Sequence, residues 1–440
     1  MGRLFGTDGV RGVAGTELTA ELAAGLGRAA VTVLGRHGTG RPVVVVGRDP
    51  RASGVWLEEA LTGGIRAAGG DVILAGVEPT PGIAFMTVDL GASAGVVISA
   101  SHNPPEDNGI KFFSREGRKL PDAIEDEIEA ALDAPKPDAA TAGEVGPAGD
   151  AAARYVEHLV GAALAPLDGM HVVVDCANGS ASFVAPALLA RLGAEVTALN
   201  AEPDGMNSND ACGALHPEFV AEAVVRLGAD AGVSHDGDAD RALFASSDGS
   251  VIDGDQVLAA SGIAMHEAGE LTGDTVVATV MSNIGLERAM HERGITLVRT
   301  RVGDRYVVQE MDRGGAVLGG EQSGHVIFRR YATTGDGLLT AVRFLSLAAA
   351  RGVGMGELAA VMRRYPQVLV NVPIDDRESV SSSATVAAAV REAERALGDT
   401  GRVLLRPSGT EPLVRVMVEA ETREEADRHA RAIADVVAAA

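Results

Sequence analysis

At 440 residues the chain is too long for a single hydrophobic core, and its balance of 46% hydrophobic and 22% charged residues is that of an ordinary globular protein of several domains. A net charge of −23 repels nucleic acid and anionic membrane surfaces, and aromatics at only 3% leave few platforms on which bases could stack. An anionic substrate would therefore have to meet cations gathered locally in one cleft.

The N-terminal stretch around Phe5-Gly6-Thr7-Asp8-Gly9 lacks the apolar core of a secretion signal. No apolar run approaches the length that spans a bilayer, so no membrane association is expected. Only two cysteines occur, Cys176 and Cys212, far apart, and the expected setting is a reducing, cytoplasmic one. The 55 glycines favour many tight loops. Short β-branched runs then alternate with Ala/Leu/Glu-rich stretches, the mark of βαβ units and mainly parallel strands. Val43–Asp49, Val172–Gly179 and Val276–Asn283 share one grammar of strand, small polar turn and helix, which predicts three related α/β domains.

Strand Gly95–Ile98 runs into Ser99-Ala100-Ser101-His102-Asn103-Pro104-Pro105, a stiff loop at a strand's carboxyl end, where open α/β sheets bind ligands. Ser101 is a candidate nucleophile or phosphate carrier. Alone the loop reads equally as a plain turn. A hydrolase serine is disfavoured, because the Gly-x-Ser-x-Gly elbow is absent. Residues 134–150, rich in Pro, Gly, Ala and Asp, read as a linker. After the apolar segment 230–233 comes Asp236-Gly237-Asp238-Ala239-Asp240-Arg241. Carboxylates at i, i+2 and i+4 in a tight loop can converge on one hard cation, and they would repel each other without it. An EF-hand is excluded, since its required Gly and Glu positions hold Arg241 and Ser247. Mg2+ suits so small a ligand set better than Ca2+. A solvated acidic turn is the bland alternative.

A short strand at 316–318 precedes Gly319-Gly320-Glu321-Gln322-Ser323-Gly324-His325, which offers donors and acceptors for sugar hydroxyls and an imidazole for a phosphate or a proton. The last segment has another order: strand 368–374, helix 385–397, strands 403–406 and 414–420, helix 423–437. That is a small α+β domain. Its loop Arg406-Pro407-Ser408-Gly409-Thr410-Glu411-Pro412, with Arg415, has the composition of a phosphate clamp, although a surface turn with incidental arginines would look the same. Arg11, Lys111, Arg241 and His325 add to the local cations that an acidic protein needs.

Taken in this order and spacing, these motifs resemble the α-D-phosphohexomutase family over nearly the whole chain, from Phe5–Gly12 to the 406–412 loop. The resemblance implies an α/β fold: three related α/β domains with mixed sheets (1–150, 151–250, 251–366) plus a C-terminal α+β domain (367–440) around a central cleft. It implies that Ser101 is the phosphoserine, that Ser101, Asp236, Asp238 and Asp240 bind Mg2+, and that Lys111, Arg11 and His325 act in catalysis. It further implies substrate contacts from Arg241, Glu321, Gln322 and Ser323, and a hold on the non-reacting phosphate from Arg406, Ser408, Gly409, Thr410 and Arg415. Gln322 and the opening Phe-Gly-Thr-Asp-Gly resemble members acting on glucosamine phosphates. Relatives acting on mannose or glucose phosphates typically carry Met at that position. The implied reaction is interconversion of glucosamine 6-phosphate and glucosamine 1-phosphate through a 1,6-bisphosphate, feeding UDP-N-acetylglucosamine and cell-wall synthesis. The competing readings are a mannose- or glucose-phosphate mutase on the same scaffold, a non-catalytic sugar-phosphate sensor, and a Mg2+ phosphatase. The implied partner is a small phosphosugar. Oligomeric state is not readable from the sequence, and a homodimer stays open.

Overall fold

Four consecutive valines, 43–46, can be buried on both faces only inside a sheet covered by helices on either side. The computed structural model, which describes residues 3–6, 8–37, 40–132, 141–374, 383–407 and 413–439, has this arrangement. Val44 and Val46 pack with Leu26, Leu57 and Leu61 on one face, and Val45 packs with Ile83, Met86 and Phe113 on the other. The sheet comprises β1 (Val10–Val13), β2 (Val43–Arg48), β3 (Asp71–Val77), β4 (Ala94–Ile98), β5 (Asp107–Ser114) and β6 (Val145–Pro147), in the order β1-β5-β4-β2-β3-β6. Strands β2, β3, β4 and β6 run parallel, and β5 is antiparallel to both β4 and β1. Within the stretch read as a linker, residues 145–147 thus add an edge strand to this sheet.

A second mixed sheet holds β7 (His171–Asp175), β8 (Glu195–Leu199), β9 (Ala231–His235), β10 (Ala242–Ser246) and β11 (Val251–Ile252), ordered β11-β10-β9-β7-β8. A third holds β12 (Thr275–Thr279), β13 (Thr296–Thr300), β14 (Leu318–Gly320) and β15 (Val326–Phe328), ordered β13-β12-β14-β15. The fourth is wholly antiparallel: β16 (Gln367–Pro373), β17 (Arg402–Pro407) and β18 (Leu413–Glu419), ordered β16-β18-β17, with helices Ala384–Leu397 and Arg423–Ala438. Three helix-flanked mixed sheets and a C-terminal α+β unit are the expected fold class.

By contacts the chain forms two compact units, Met1–Val280 with Val298–Ala360, and Met281–Leu297 with Val361–Ala440. In the second, buried Glu419 accepts from Ile284 N at 3.0 Å and from Arg402 Nε at 3.0 Å, and Asn283 exchanges hydrogen bonds with the Tyr365 backbone. These bonds tie 281–297 to the C-terminal sheet. Among the described residues, no helix is long and apolar enough to cross a membrane.

Candidate active site

The loops singled out in the first unit leave the carboxyl ends of strands. After β4 the chain turns at Ser101, whose φ of +54° lies in the left-handed region, unusual for a residue with a Cβ and costing roughly 1–2 kcal/mol. Ser101 N donates to Ser99 Oγ at 2.9 Å, and Ser99 Oγ donates to Asp49 Oδ2 at 2.6 Å. In this conformation the buried Ser101 Oγ donates to Asp236 Oδ2 at 2.6 Å.

Asp236 opens the loop after β9. Ala239, at φ +56°, folds that loop so that one carboxylate oxygen from each of Asp236, Asp238 and Asp240 lies within 4.8 Å of the others. The Asp236 and Asp238 side chains are buried and that of Asp240 nearly so, and Oδ1 of Asp238 and Oδ1 of Asp240 have no hydrogen-bond partner among the described residues. Burial, then the charges of Asp240 and Asp238, push the Asp236 pKa well above the carboxylate range. Buried, mutually repelling carboxylates with spare oxygens fit a hard divalent cation, which would remove both penalties. Gly237 lets this loop meet the serine loop: a Cβ there would lie 2.6 Å from Ser101 O.

Cations ring the pair of loops. Lys111, on β5, places Nζ 2.9 Å from Asp238 Oδ2 and 3.1 Å from Asp8 Oδ2. Lys119 lies 2.5 Å from Asp8 and 2.7 Å from Asp304. Arg11 pairs with Asp8 and donates to Asn103 Oδ1 at 3.3 Å. Although burial opposes charging Lys111, Asp238 and Asp8 outweigh it and raise its pKa, so Lys111 stays protonated. Arg241 Nε lies 3.7 Å from Asp240 Oδ1 and 3.9 Å from Asp236 Oδ2. Burial, Arg241 and Arg11 lower the pKa of His102 to about 4, leaving it neutral with Nδ1 3.3 Å from Ser101 Oγ.

Two influences compete at His325. Burial disfavours its cation, but Asp240, 3.4 Å from Nδ1, and Asp304 raise its pKa to about 9. Against them, Gly335 N donates to Nε2 at 3.2 Å, which favours a neutral ring with its proton on Nδ1 facing Asp240. A cation among the aspartates would weaken the pull of Asp240 and favour that neutral form.

A cavity of about 440 Å³ opens beside these groups, lined among others by Asp8, Arg11, Asp240, Arg241, Glu321 and His325. Glu321 Oε1 accepts from Gly303 N at 3.1 Å. Gln322 turns aside to donate to Asp253 Oδ2 at 3.4 Å, and neither Gln322 nor Ser323 is among the residues lining the cavity. The first unit thus brings together Ser101, the three aspartates, Lys111, Arg11, Arg241, Glu321 and His325. In the second unit, Arg406 and Arg415 face each other across β17 and β18, and burial together with the Arg415 charge lowers the Arg406 pKa. Ser408, Gly409 and Thr410 lie outside the described residues.

Several residues around the site had not been picked out in the sequence. Thr80 Oγ1 donates to Asp238 Oδ2 at 2.7 Å, and Asp49, Arg51 and Asn209 bind the serine loop. Asp49 and Arg51 follow a recognisable buried strand, so the rule that ligands gather at strand carboxyl ends could have found them. Asn209 carries no such signal.

Models of the phosphoglucomutase/phosphomannomutase family match the chain in four pieces: alpha/beta/alpha domain I at residues 2–138, domain II at 153–249, domain III at 253–365, and the C-terminal domain at 369–436. Phosphoglucosamine mutases of Rhodococcus opacus and Saccharopolyspora erythraea are each 55% identical to it, covering 100% of both chains. A crystal structure of a phosphoglucomutase/phosphomannomutase family protein from Burkholderia thailandensis is similar at a TM-score of 0.82 and 27% identity, over 99% of this chain and 97% of that one.

Proposed function

We propose a function from one premise: this chain belongs to the phosphoglucomutase/phosphomannomutase family. It is an isomerase that interconverts glucosamine 6-phosphate and glucosamine 1-phosphate, the activity named for relatives that match it at 55% identity from end to end. The observation that carries the chemistry is the 2.6 Å hydrogen bond between Ser101 Oγ and Asp236 Oδ2, which puts a nucleophilic oxygen at a cluster of cation-binding oxygens.

In this reading Ser101, as its phosphate ester, is the phosphoryl donor. O1 of glucosamine 6-phosphate attacks the phosphorus, the bond to Ser101 Oγ breaks, and glucosamine 1,6-bisphosphate forms. The bisphosphate turns end over end. Ser101 Oγ then attacks the 6-phosphoryl group, the bond from phosphorus to O6 breaks, the proton taken from O1 by His325 is returned to O6, and glucosamine 1-phosphate leaves. Asp236, Asp238 and Asp240, with Ser101, would hold Mg2+, which when bound would offset charge on the phosphoryl group. Lys111 and Arg11 stabilise that charge, and His325 exchanges the sugar's proton. Arg241 and Glu321 meet the substrate from the cavity wall, and contacts from Gln322 and Ser323 would need their loop to turn toward the cavity. Arg406 and Arg415, with Ser408, Gly409 and Thr410, take the phosphate that does not react, and like charges opposed across a hairpin favour such an anion.

Turnover of glucosamine 6-phosphate by wild type and by Ser101→Ala tests this reading, with glucose and mannose phosphates as competitors. The reading expects glucosamine 6-phosphate to be preferred and Ser101→Ala to be inactive. Wild-type rates in Ser101→Ala would overturn the relay, and a preference for glucose or mannose phosphates would overturn the substrate.

A further inference from the structure

Arg51 is fully buried, yet its guanidinium serves one loop. It donates to Ser101 O at 2.8 Å, Asn103 O at 2.8 Å and Asp107 O at 3.1 Å, and also to Pro104 O. Its Nε donates to Asp49 Oδ2 at 2.8 Å, the oxygen that also accepts from Ser99 Oγ. The serine loop is therefore wrapped around a single cation fixed at the end of β2.

A second donor reaches the same carbonyls from the other sheet. Asn209, between β8 and β9, donates through Nδ2 to Ser101 O at 2.9 Å and Asn103 O at 3.2 Å. Its own N–H donates to Ala177 O at 2.9 Å, in the turn after β7, and its φ is +62°. Asp236 leaves that same second sheet. Asn209 thus spans from the sheet that carries the aspartates to the backbone of the serine they face. Ser101 at φ +54° persists only if its surroundings over-determine it, and these two donors do so.

We propose that Arg51 and Asn209 are positioning residues, Arg51 shaping the serine loop and Asn209 setting its register against the aspartates. The inference rests on Ser101 being the phosphoryl carrier. Mere stabilisation of a loop would lower the melting temperature and leave turnover per folded molecule alone. Positioning instead predicts a loss confined to kcat.

Asn209→Gly removes the amide while glycine tolerates the positive φ. Arg51→Lys keeps the charge but loses the fork that reaches four carbonyls. For each folded variant, kcat on glucosamine 6-phosphate should fall about ten-fold or more at unchanged KM. Phosphoryl loading of Ser101 from a hexose 1,6-bisphosphate, followed by intact mass, should slow by the same factor. A kcat and loading rate within about two-fold of wild type in both variants overturns the proposal, as does a loss that appears only in KM or only in melting temperature. If wild type itself never loads Ser101, the phosphoserine reading fails instead, and the two failures are told apart by that control.

Discussion

Ser101 combines a left-handed backbone, complete burial and a hydrogen bond to a carboxylate, and each condition depends on a neighbour. Gly237 is the most exacting. A methyl there would sit 2.6 Å from Ser101 O and 3.0 Å from Asn209 Nδ2, so the two loops must part. Gly237→Ala should cost about 1–3 kcal/mol of stability and about a hundred-fold or more in kcat, read by urea melts and turnover on the same preparation. Glu78 makes a different demand. Its Oε2 has no hydrogen-bond partner among the described residues, and burial alone raises its pKa from 4.5 to about 7. Because the folded state binds this proton more tightly than the unfolded chain, the contribution of Glu78 to stability is fully present below pH 4.5 and is lost as pH rises through about 7. Glu78→Gln removes that slope. Its stability relative to wild type should rise by about 3 kcal/mol between pH 4.5 and pH 8, and parallel denaturation curves at the two pH values would refute this. The acidic cluster was legible because its residues are local in sequence, at i, i+2 and i+4. Arg51 and Asn209 were not, since they act on Ser101 from 50 and 108 residues away.

Among the elements, helix Gly337–Arg351 is buried over most of its length, and its start depends on Asp336. That carboxylate accepts from Leu339 N at 2.9 Å and from Tyr155 OH at 2.9 Å. Asp336→Ala removes a cap and leaves a buried phenol unsatisfied, a loss of about 2–4 kcal/mol. Asp336→Asn keeps an amide oxygen for Leu339 N and turns its NH2 toward Tyr155 OH, which can accept from it, and should lose less than half as much in the same denaturation experiment. The strands of the C-terminal sheet were expected from the sequence at 368–374, 403–406 and 414–420, close to where they lie. β14 was displaced: the expected strand at 316–318 lies at Leu318–Gly320. Glycines weigh against a strand by propensity, but here they permit the tight return, since a Cβ on Gly320 would lie 2.5 Å from His325 O. β6 escaped notice because three residues rich in Gly and Pro carry no strand periodicity.

Across the whole molecule, an acidic chain concentrates Arg11, Lys111, Lys119, Arg241 and His325 around one cavity and its acidic loop. The need for local cations followed from a net charge of −23, and the motifs supplied Arg11, Lys111, Arg241 and His325, whereas Lys119 carried no motif. The tie between 281–297 and the C-terminal sheet was illegible, because Asn283 and Glu419 meet across 136 residues. The aspartate cluster also makes a thermodynamic prediction. Mg2+ at about a hundred times its dissociation constant should stabilise the protein by about 2.7 kcal/mol, a rise of a few degrees in Tm. Asp236→Asn relieves the repulsion, so without metal it should melt no lower than wild type, and it should lose the Mg2+-dependent rise. A variant that melts lower and still responds fully to Mg2+ would argue against the cluster as the cation site.

The phosphoserine relay is tested most directly by following the intact mass of the protein through one turnover. After incubation with glucose 1,6-bisphosphate, one phosphoryl group should appear on the protein and map to Ser101. A chase with glucosamine 6-phosphate should then keep exchanging that phosphoryl group with the sugar pool for as long as turnover continues. Continued interconversion by protein that never carries phosphate on Ser101 would contradict the account.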